Sequence, residues 1–337
     1  MQKVTNAIKD VQIVGASDIS PGRAEDFIRR HELEDARGFQ HHHDLLSFDL
    51  DAVSVCTPHA AHFQPAVDAL RAGKHVLVEK PLSVTLAEGI QMVEQARKAQ
   101  KMLSAGFQTR YSVRNITARE LVASGRLGRV YYAETASGRR KGIPGGTFVS
   151  KASAGGGAIL DIGCYSLDTA LFILGHPRPL TVTAFTANYL GTSPSYFHSA
   201  ADFEVEDFGV AMVRLEGGIA LVVKSSWAMH MDSLGTTFFL GMDAGLSMTH
   251  DTSLRLFHDV SGKSAHSDIA LPAEQYGQLI RQKIKAFVEA IRTNGPAPVP
   301  ADEVLFSQAI LDGIYRSAEL GREVEIEFPS HLFLQSA

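Results

Sequence analysis

The chain has 337 residues, 45% of them hydrophobic and 20% charged, with a formal net charge of −5. That length suits two domains, each able to bury a core, and the charge gives no electrostatic case for nucleic acid or an anionic membrane as a partner. No apolar run approaches the ~20 residues that span a bilayer, and the start, MQKVTNAIKD, lacks the apolar centre of a signal peptide, so a cytoplasmic protein is expected.

In chain order, KDVQIVGASDIS (9–20) reads as a buried parallel strand ending in an acidic residue, Asp18. SPGRAEDFIRRHEL follows, with proline and glycine opening a helix whose apolar positions recur three to four apart. His41, His42 and His43 come next. Three adjacent side chains do not converge on one ion in a strand or helix, so a solvated connector is favoured over a metal site, and no metal is expected. LDAVSVCTP is a nearly continuous apolar run, as in a strand covered on both faces. HFQPAVDALRAG is a helix stopped by Gly73, KHVLVEKP another buried strand, TLAEGIQMVEQARKAQK another amphipathic helix, and MLSAGFQTRY one more strand. Cys56 and Cys164 each sit in an apolar stretch and read as buried free thiols; they are too few for a disulfide framework and lack zinc-ligand spacing.

Alternating strands and helices call for a doubly wound parallel sheet, with ligands beyond the carboxyl ends of its strands. Three segments fall there: SDIS, CTPHAAH and VEKPL. Asp18 suits the hydroxyls of an adenosine ribose and repels a 2′-phosphate, which favours NAD over NADP; by itself a turn or capping aspartate is the commoner case, and Asp18 gains weight because the two other strand ends point the same way. Lys80, between Glu79 and Pro81, could polarise a substrate hydroxyl or pair with Glu79 at the surface. The ribose carboxylate usually lies ≈ 20 residues beyond the glycine fingerprint, which would place that fingerprint at or before residue 1. QKVTNAIKD therefore reads as the tail of a first crossover helix. The expectation is that the first strand and its phosphate loop are absent from this sequence and that Met1 is an internal methionine.

In GGGAILDIGCYSLDTALFILG (155–175) the glycines permit a close backbone approach ahead of a helix. Asp161, Tyr165 and Asp168 then fall on one narrow polar stripe beside an apolar one, and a buried carboxylate there needs a partner, for which Lys80 is available. Beyond residue 108, RVYYAETAS, LTVTAFTANYL, DFGVAMVRLEG, IALVVKSSWAM, GTTFFLGMDA and GLSMTH are strand-like runs separated by turns. QYGQLIRQKIKAFVEAIRT and ADEVLFSQAILDGIYRSAELG are late amphipathic helices, and EVEIEF is a final strand.

CTPHAAHFQPAVDALRAGKHVLVEKPLS closely resembles a segment shared by the glucose–fructose oxidoreductase and inositol dehydrogenase family, Gfo/Idh/MocA. AGFQTRY and the GGG-DIG-D segment are further matches, and the likeness runs from about Val11 to Glu327. The resemblance implies an α/β fold with a Rossmann domain over 1–107 and a substrate-binding and oligomerisation α+β domain over 108–337, built on a large open sheet. The open face of such a sheet predicts a homo-oligomer. It also implies a nicotinamide cofactor and hydride transfer at a secondary hydroxyl or ketone of a sugar, polyol or glycoside. Lys80 matches the catalytic lysine and Asp161 the aspartate that positions substrate. Tyr165 stands where inositol dehydrogenases carry histidine. As a base near neutrality it would need a neighbouring cation, with Lys80 available; otherwise it holds a substrate hydroxyl. Thr57, Pro58, His62, Glu79 and Lys80 join Asp18 as cofactor contacts. Gln108, Arg110, Arg140 and His230 join Tyr165 as substrate contacts, Arg110 alternatively bracing Asp161, and His230 reading by default as a core or interface histidine. A non-catalytic ligand-sensing or regulatory member of the same family is the other reading.

Overall fold

The computed structural model describes residues 8, 11–248 and 253–329. The N-terminal unit is parallel throughout. Strand β1 (Gly15–Ser17), helix α1 (Arg23–Arg30), strand β2 (Arg37–Phe39) and helix α2 (His42–Leu46) form one piece, with β1 paired to β2. Strand β3 (Ala52–Val55), helix α3 (Phe63–Arg71), strand β4 (His75–Val78), helix α4 (Leu86–Ala99) and strand β5 (Leu103–Ala105) form the other, ordered β3-β4-β5. Among the described residues no strand joins β1 to β3. The segment read as a crossover-helix tail, 2–10, lies outside the described residues apart from Ile8. β3 is accordingly less enclosed than its apolar run predicts. Ser54 is exposed, and Cys56 just past the strand is exposed rather than buried; Cys164 is buried as expected.

Side-chain alternation divides the faces of β4. Val76 and Val78 join the main core with Val67 and Leu70 of α3, whereas Leu77 packs with Ile284 and Phe287 from far along the chain. The chain continues through helix α5 (Val113–Ala123), strand β6 (Val130–Gly138), the single turn α6 (Lys151–Ala154), a π-helical turn (Ile159–Gly163) and helix α7 (Cys164–Leu174). Strands β7 (Pro179–Ala187), β8 (Phe208–Leu215), β9 (Ile219–Ser226), β10 (Thr237–Gly241), β11 (Ala244–Met248), β12 (Leu254–Val260) and β13 (Lys263–Ile269) follow. Helices α8 (Tyr276–Thr293) and α9 (Ala301–Leu320) and strand β14 (Val324–Glu325) end the fold. Nine strands make one sheet, ordered β13-β12-β11-β10-β6-β9-β8-β7-β14, antiparallel except for β6 beside β9.

The hairpin β12–β13 was not expected from its polar sequence. Its turn, Ser261-Gly262, has φ of 52° and 76°, the left-handed pair that a two-residue hairpin loop requires. The segment Lys151–Leu174 is long and apolar enough to cross a membrane by composition, contrary to the first reading of the sequence, but 78% of its most apolar stretch is buried inside the protein. It is a core element carrying two aspartates.

The C-terminal helices return to the N-terminal unit and fix it against the large sheet. α8 supplies the Ile284 and Phe287 contacts to Leu77. Leu305 of α9 enters the same core as Leu82 and Met92, and the Val299 carbonyl accepts the Ala105 N–H at 3.0 Å, extending the edge of β5.

Candidate active site

The site is built where the carboxyl ends of β3, β4 and β5 meet the π turn. Gly155–Gly157 approach protein rather than open space. A Cβ on Gly156 would stand 2.1 Å from the Tyr315 hydroxyl and one on Gly157 1.9 Å from the Glu206 carbonyl oxygen. The buried Glu206 carboxylate accepts the Gly157 and Ile159 N–H groups at 2.8 and 3.0 Å, satisfying donors orphaned at the start of the turn. This clamp presents Asp161 inward, and π turns recur at functional sites because they re-aim one side chain.

Lys80 Nζ donates to Asp161 Oδ1 at 2.7 Å and to the Asp161 carbonyl at 2.8 Å. Trp227 Nε1, fully buried, donates to Asp161 Oδ2 at 3.0 Å and fixes the carboxylate plane. The ammonium also lies 5.0 Å from the centre of the Tyr165 ring. Burial opposes its charge, but the ion pair and hydrogen bond with the Asp161 carboxylate outweigh this, leaving the Lys80 pKa raised. Lys80 is thus a fixed ammonium at neutral pH. Cys164, fully buried, is pushed up to about 12 by desolvation and stays a thiol, donating to the Asp161 carbonyl.

Tyr165 departs from one expectation. Lys80 meets its ring face, not its hydroxyl, and the hydroxyl is held by Gln108 Nε2 at 2.7 Å and lies 3.4 Å from the Tyr276 hydroxyl. Burial first, and then Tyr276, push the phenol well above its ordinary pKa. It is therefore a hydrogen-bonding group rather than a base near neutrality. Gln108 itself is buried in the short turn after β5 and also donates to Tyr276. A cleft of ≈ 300 Å³ opens beside Tyr165, walled also by Thr109, Asn115, Ser137 and Thr237.

Arg110 turns away from this cluster. Its guanidinium makes a bidentate pair with Asp168 at 2.8 and 3.0 Å and reaches Glu303 at 2.6 Å, with only 5% of its side chain exposed. Contrary to expectation it braces Asp168, not Asp161, and has no donor facing the cleft. The reason is register: Asp161 lies on the π turn and Asp168 on the following helix, so the two carboxylates meet different neighbours. Arg140 is exposed and pairs with Asp232 at 3.2 Å. His230 is exposed, not core, its ring 5.7 Å from that of Tyr196. These two side chains form a separate loop cluster, with no contact to the Lys80 cluster among the described residues.

At the strand ends, Asp18 is half-buried and accepts the Ser20 N–H at 2.9 Å, which fixes a carboxylate at the tip of β1. Thr57 and Pro58 are exposed at the end of β3. His62 is buried, with Nδ1 at 2.8 Å from the Pro81 carbonyl and Nε2 at 3.0 Å from the Thr57 carbonyl. Burial lowers the pKa of His62, and a neutral ring donates to one of these two carbonyls at a time; packed between them, it sits between the turn after β3 and the turn after β4. His59, beside it, is depressed to about 4 by burial and by nearby Lys80, and is neutral at physiological pH. Glu79 pairs not with Lys80 but with Lys283 of α8, at 2.5 Å. A carboxylate at one strand tip and an ammonium at another fit the ribose and nicotinamide ends of a dinucleotide. Among the described residues the parallel sheets carry no glycine-rich turn for its phosphates.

Two residues escaped the sequence reading. Lys283 is 2% exposed and also stands 3.5 Å from Gln108 Oε1. Its signal was present: it falls four residues from both Leu279 and Phe287, on the apolar stripe of α8, where a lysine demands a partner. Tyr276, at the exposed start of the same helix, carried none.

A parallel dinucleotide-type unit joined to an open antiparallel sheet, with a buried Lys–Asp pair at their junction, defines a two-domain nicotinamide oxidoreductase. Residues 1–107 match the oxidoreductase family with an NAD-binding Rossmann fold, and residues 115–247 match the GFO/IDH/MocA C-terminal domain. The chain belongs to the GFO/IDH/MocA family of oxidoreductases. It is 30% identical over 289 residues to D-glucoside 3-dehydrogenase of Escherichia coli K12, covering 84% of this chain and 81% of that protein. An oxidoreductase domain protein from Kribbella flavida superposes with a TM-score of 0.83 at 22% identity, covering 97% of this chain and 94% of that one. Levoglucosan dehydrogenase in complex with NADH superposes with a TM-score of 0.81 at 20% identity, covering 94% and 91%.

Proposed function

We propose that this protein is an NAD-preferring dehydrogenase or reductase acting on a secondary hydroxyl or ketone of a sugar, polyol or glycoside, with the boundary between its two domains at residues 107–108. The observation that carries this is Lys80, an ammonium pinned by Asp161 and 5.0 Å from the ring centre of Tyr165, which is one wall of a cleft that Thr109, Asn115, Ser137 and Thr237 line together with Arg114, Ile162 and Met248. The carboxylate of Asp18 at the tip of β1 disfavours a 2′-phosphate and supports NAD over NADP. The relative that acts on glucosides supports a glycoside-like substrate.

A bound nicotinamide would supply or accept the hydride. Lys80 hydrogen-bonds the reacting oxygen and, in reduction, gives its proton to that oxygen as the carbonyl becomes an alcohol; in oxidation the amine must first be neutral to take the proton. Asp161, pinned by Trp227, holds Lys80 on its line. The hydroxyls of Tyr165 and Tyr276, tied by Gln108, form a hydrogen-bonding edge for neighbouring substrate hydroxyls.

The open face of the nine-stranded sheet supports self-association. Cross-strand neighbours Phe185 and Val210, Met212 and Val222, and Phe238 beside Glu134 place apolar side chains in register there, with Phe185 53% and Met212 38% exposed. Such a face is most readily covered by a second copy of the chain.

The test is turnover, followed by nicotinamide absorbance, on a panel of glucosides, ketosugars, inositols and simple secondary alcohols with NAD(H) and NADP(H). Oxidation or reduction of a carbohydrate member with NAD(H), and not of the simple alcohols, is the expected result. Folded protein that binds carbohydrate without turning any over would overturn the enzymatic reading in favour of a sensor.

A further inference from the structure

The histidine tract left unused by the site above has a partner that its spacing did not reveal. His42 is the first residue of α2 and His43 the second, while Asp68 projects from α3, 25 or more residues later in the chain. His42 Nε2 lies 3.0 Å from Asp68 Oδ2 and His43 Nε2 lies 3.7 Å from the same oxygen. The three donor atoms all fall within 4.8 Å of one another. Two donors bound to one tetrahedral ion at ~2.0–2.1 Å stand roughly 3.3 Å apart, so the three groups need only small rotations to share an ion. The expectation that adjacent histidines cannot converge holds for a strand or helix taken alone. Here the third ligand comes from a different helix.

We propose that His42, His43 and Asp68 form a site for one borderline divalent cation, zinc being the reference, which ties the β1–β2 pair to the β3–β4–β5 sheet. Two imidazoles and a carboxylate suit zinc, nickel or copper better than magnesium or calcium, which prefer all-oxygen sets. The surroundings are built for such a set. Asp68 is 11% exposed; Gln64 Nε2 donates at 2.8 Å to Oδ2, the oxygen the two imidazoles share, and Arg71 Nη1 donates to Oδ1 at 3.5 Å, leaving Oδ2 oriented toward the imidazoles. His43 is 67% exposed, leaving an open side for water. Binding requires both Nε2 lone pairs, so each ring carries its proton on Nδ1 and the His42–Asp68 hydrogen bond gives way to two bonds to the ion.

The structural consequence follows from where the ligands sit. α2 packs on β1 and β2, whereas α3 packs on β3 and β4, and no strand pairing links the two sheets among the described residues. An ion across α2 and α3 therefore fastens the piece carrying Asp18 to the piece carrying Lys80.

The experiment is calorimetric titration of the chelator-stripped full chain with zinc chloride, repeated on His43→Gln, Asp68→Asn and His41→Gln, with amide hydrogen exchange read over residues 15–17 and 37–39. The expected result is one zinc per chain, affinity reduced at least tenfold by the first two substitutions and unchanged by the third, and slower exchange in β1 and β2 on loading. His43→Gln alters a largely exposed side chain, so folding of that variant does not depend on the site. No binding, binding indifferent to His43 and Asp68, or binding lost with His41 would overturn the site. Site-specific binding without slower exchange would overturn its fastening role.

Discussion

Two buried ion pairs lie on one continuous run of helix, and they show how identical chemistry serves different ends. Asp161 on the π turn faces Lys80; Asp168, two turns on, faces Arg110. The Lys80 and Asp161 side chains keep 13% and 11% of their surface and lie beside Tyr165, a wall of the cleft, whereas Arg110 and Asp168 keep 5% and 1% and are closed over by Glu303 and the Phe172 ring. A lysine is a point charge that can turn its remaining protons toward a ligand. An arginine in a bidentate fork has its donors committed to the protein. The same element thus carries one pair arranged for chemistry and one that fastens α7 to the turn after β5 and to α9.

The largest effect that would break this comparison is on turnover. Lys80→Met removes the ammonium held by Asp161 and should lower kcat about 10³-fold, roughly 4 kcal/mol, with a smaller loss of stability than the closed pair gives because Asp161 keeps Trp227 and 11% of its side-chain surface. Steady-state kinetics beside a thermal melt would check it; a collapse of stability with kcat intact would place Lys80 with the structural pair. Arg110→Met should do the reverse. Leaving Asp168 buried without its partner is expected to lower unfolding free energy by about 3–5 kcal/mol, with the kcat of the folded fraction changed less than tenfold. Urea unfolding of the two variants side by side gives the contrast directly.

The smallest effect sharpens the comparison through pH. His59, near Lys80, has a folded pKa of about 4 against 6.5 for a free imidazole. Between those values the unfolded chain binds a proton that the folded chain does not, so stability falls as pH drops from about 6.5 towards 4. The contribution is on the order of 3 kcal/mol across the window. His59→Asn should flatten that part of the pH–stability curve, measured by urea unfolding at pH 7 and pH 4.5. An unchanged slope would show that His59 is protonated in the folded state.

Much of this was legible in the residues. The parallel strands were legible as apolar runs and most of the antiparallel ones as strand-like runs between turns, while Lys80 at a strand end and Asp161 on a polar stripe took their roles from the family resemblance. The edge hairpin β12–β13 was missed because its outward side chains are polar, although the Ser261-Gly262 turn was a usable signal. Lys283 was missed because a lysine on a helix is read as solvent-facing until the apolar positions on either side are placed on the same stripe.

What the sequence determined alone is therefore local: which segments are strands or helices, which strand ends carry Asp18, Thr57 and Lys80, and which helix carries Asp161, Tyr165 and Asp168. Partnership was decided by the tertiary structure. The identity of Glu79's cation, the commitment of Arg110 to Asp168, the protonated state of Tyr165 and the meeting of His42 and His43 with Asp68 all depend on residues tens to hundreds of positions apart. Burial and charge pairing act through distance in space, and local periodicity holds no record of that distance.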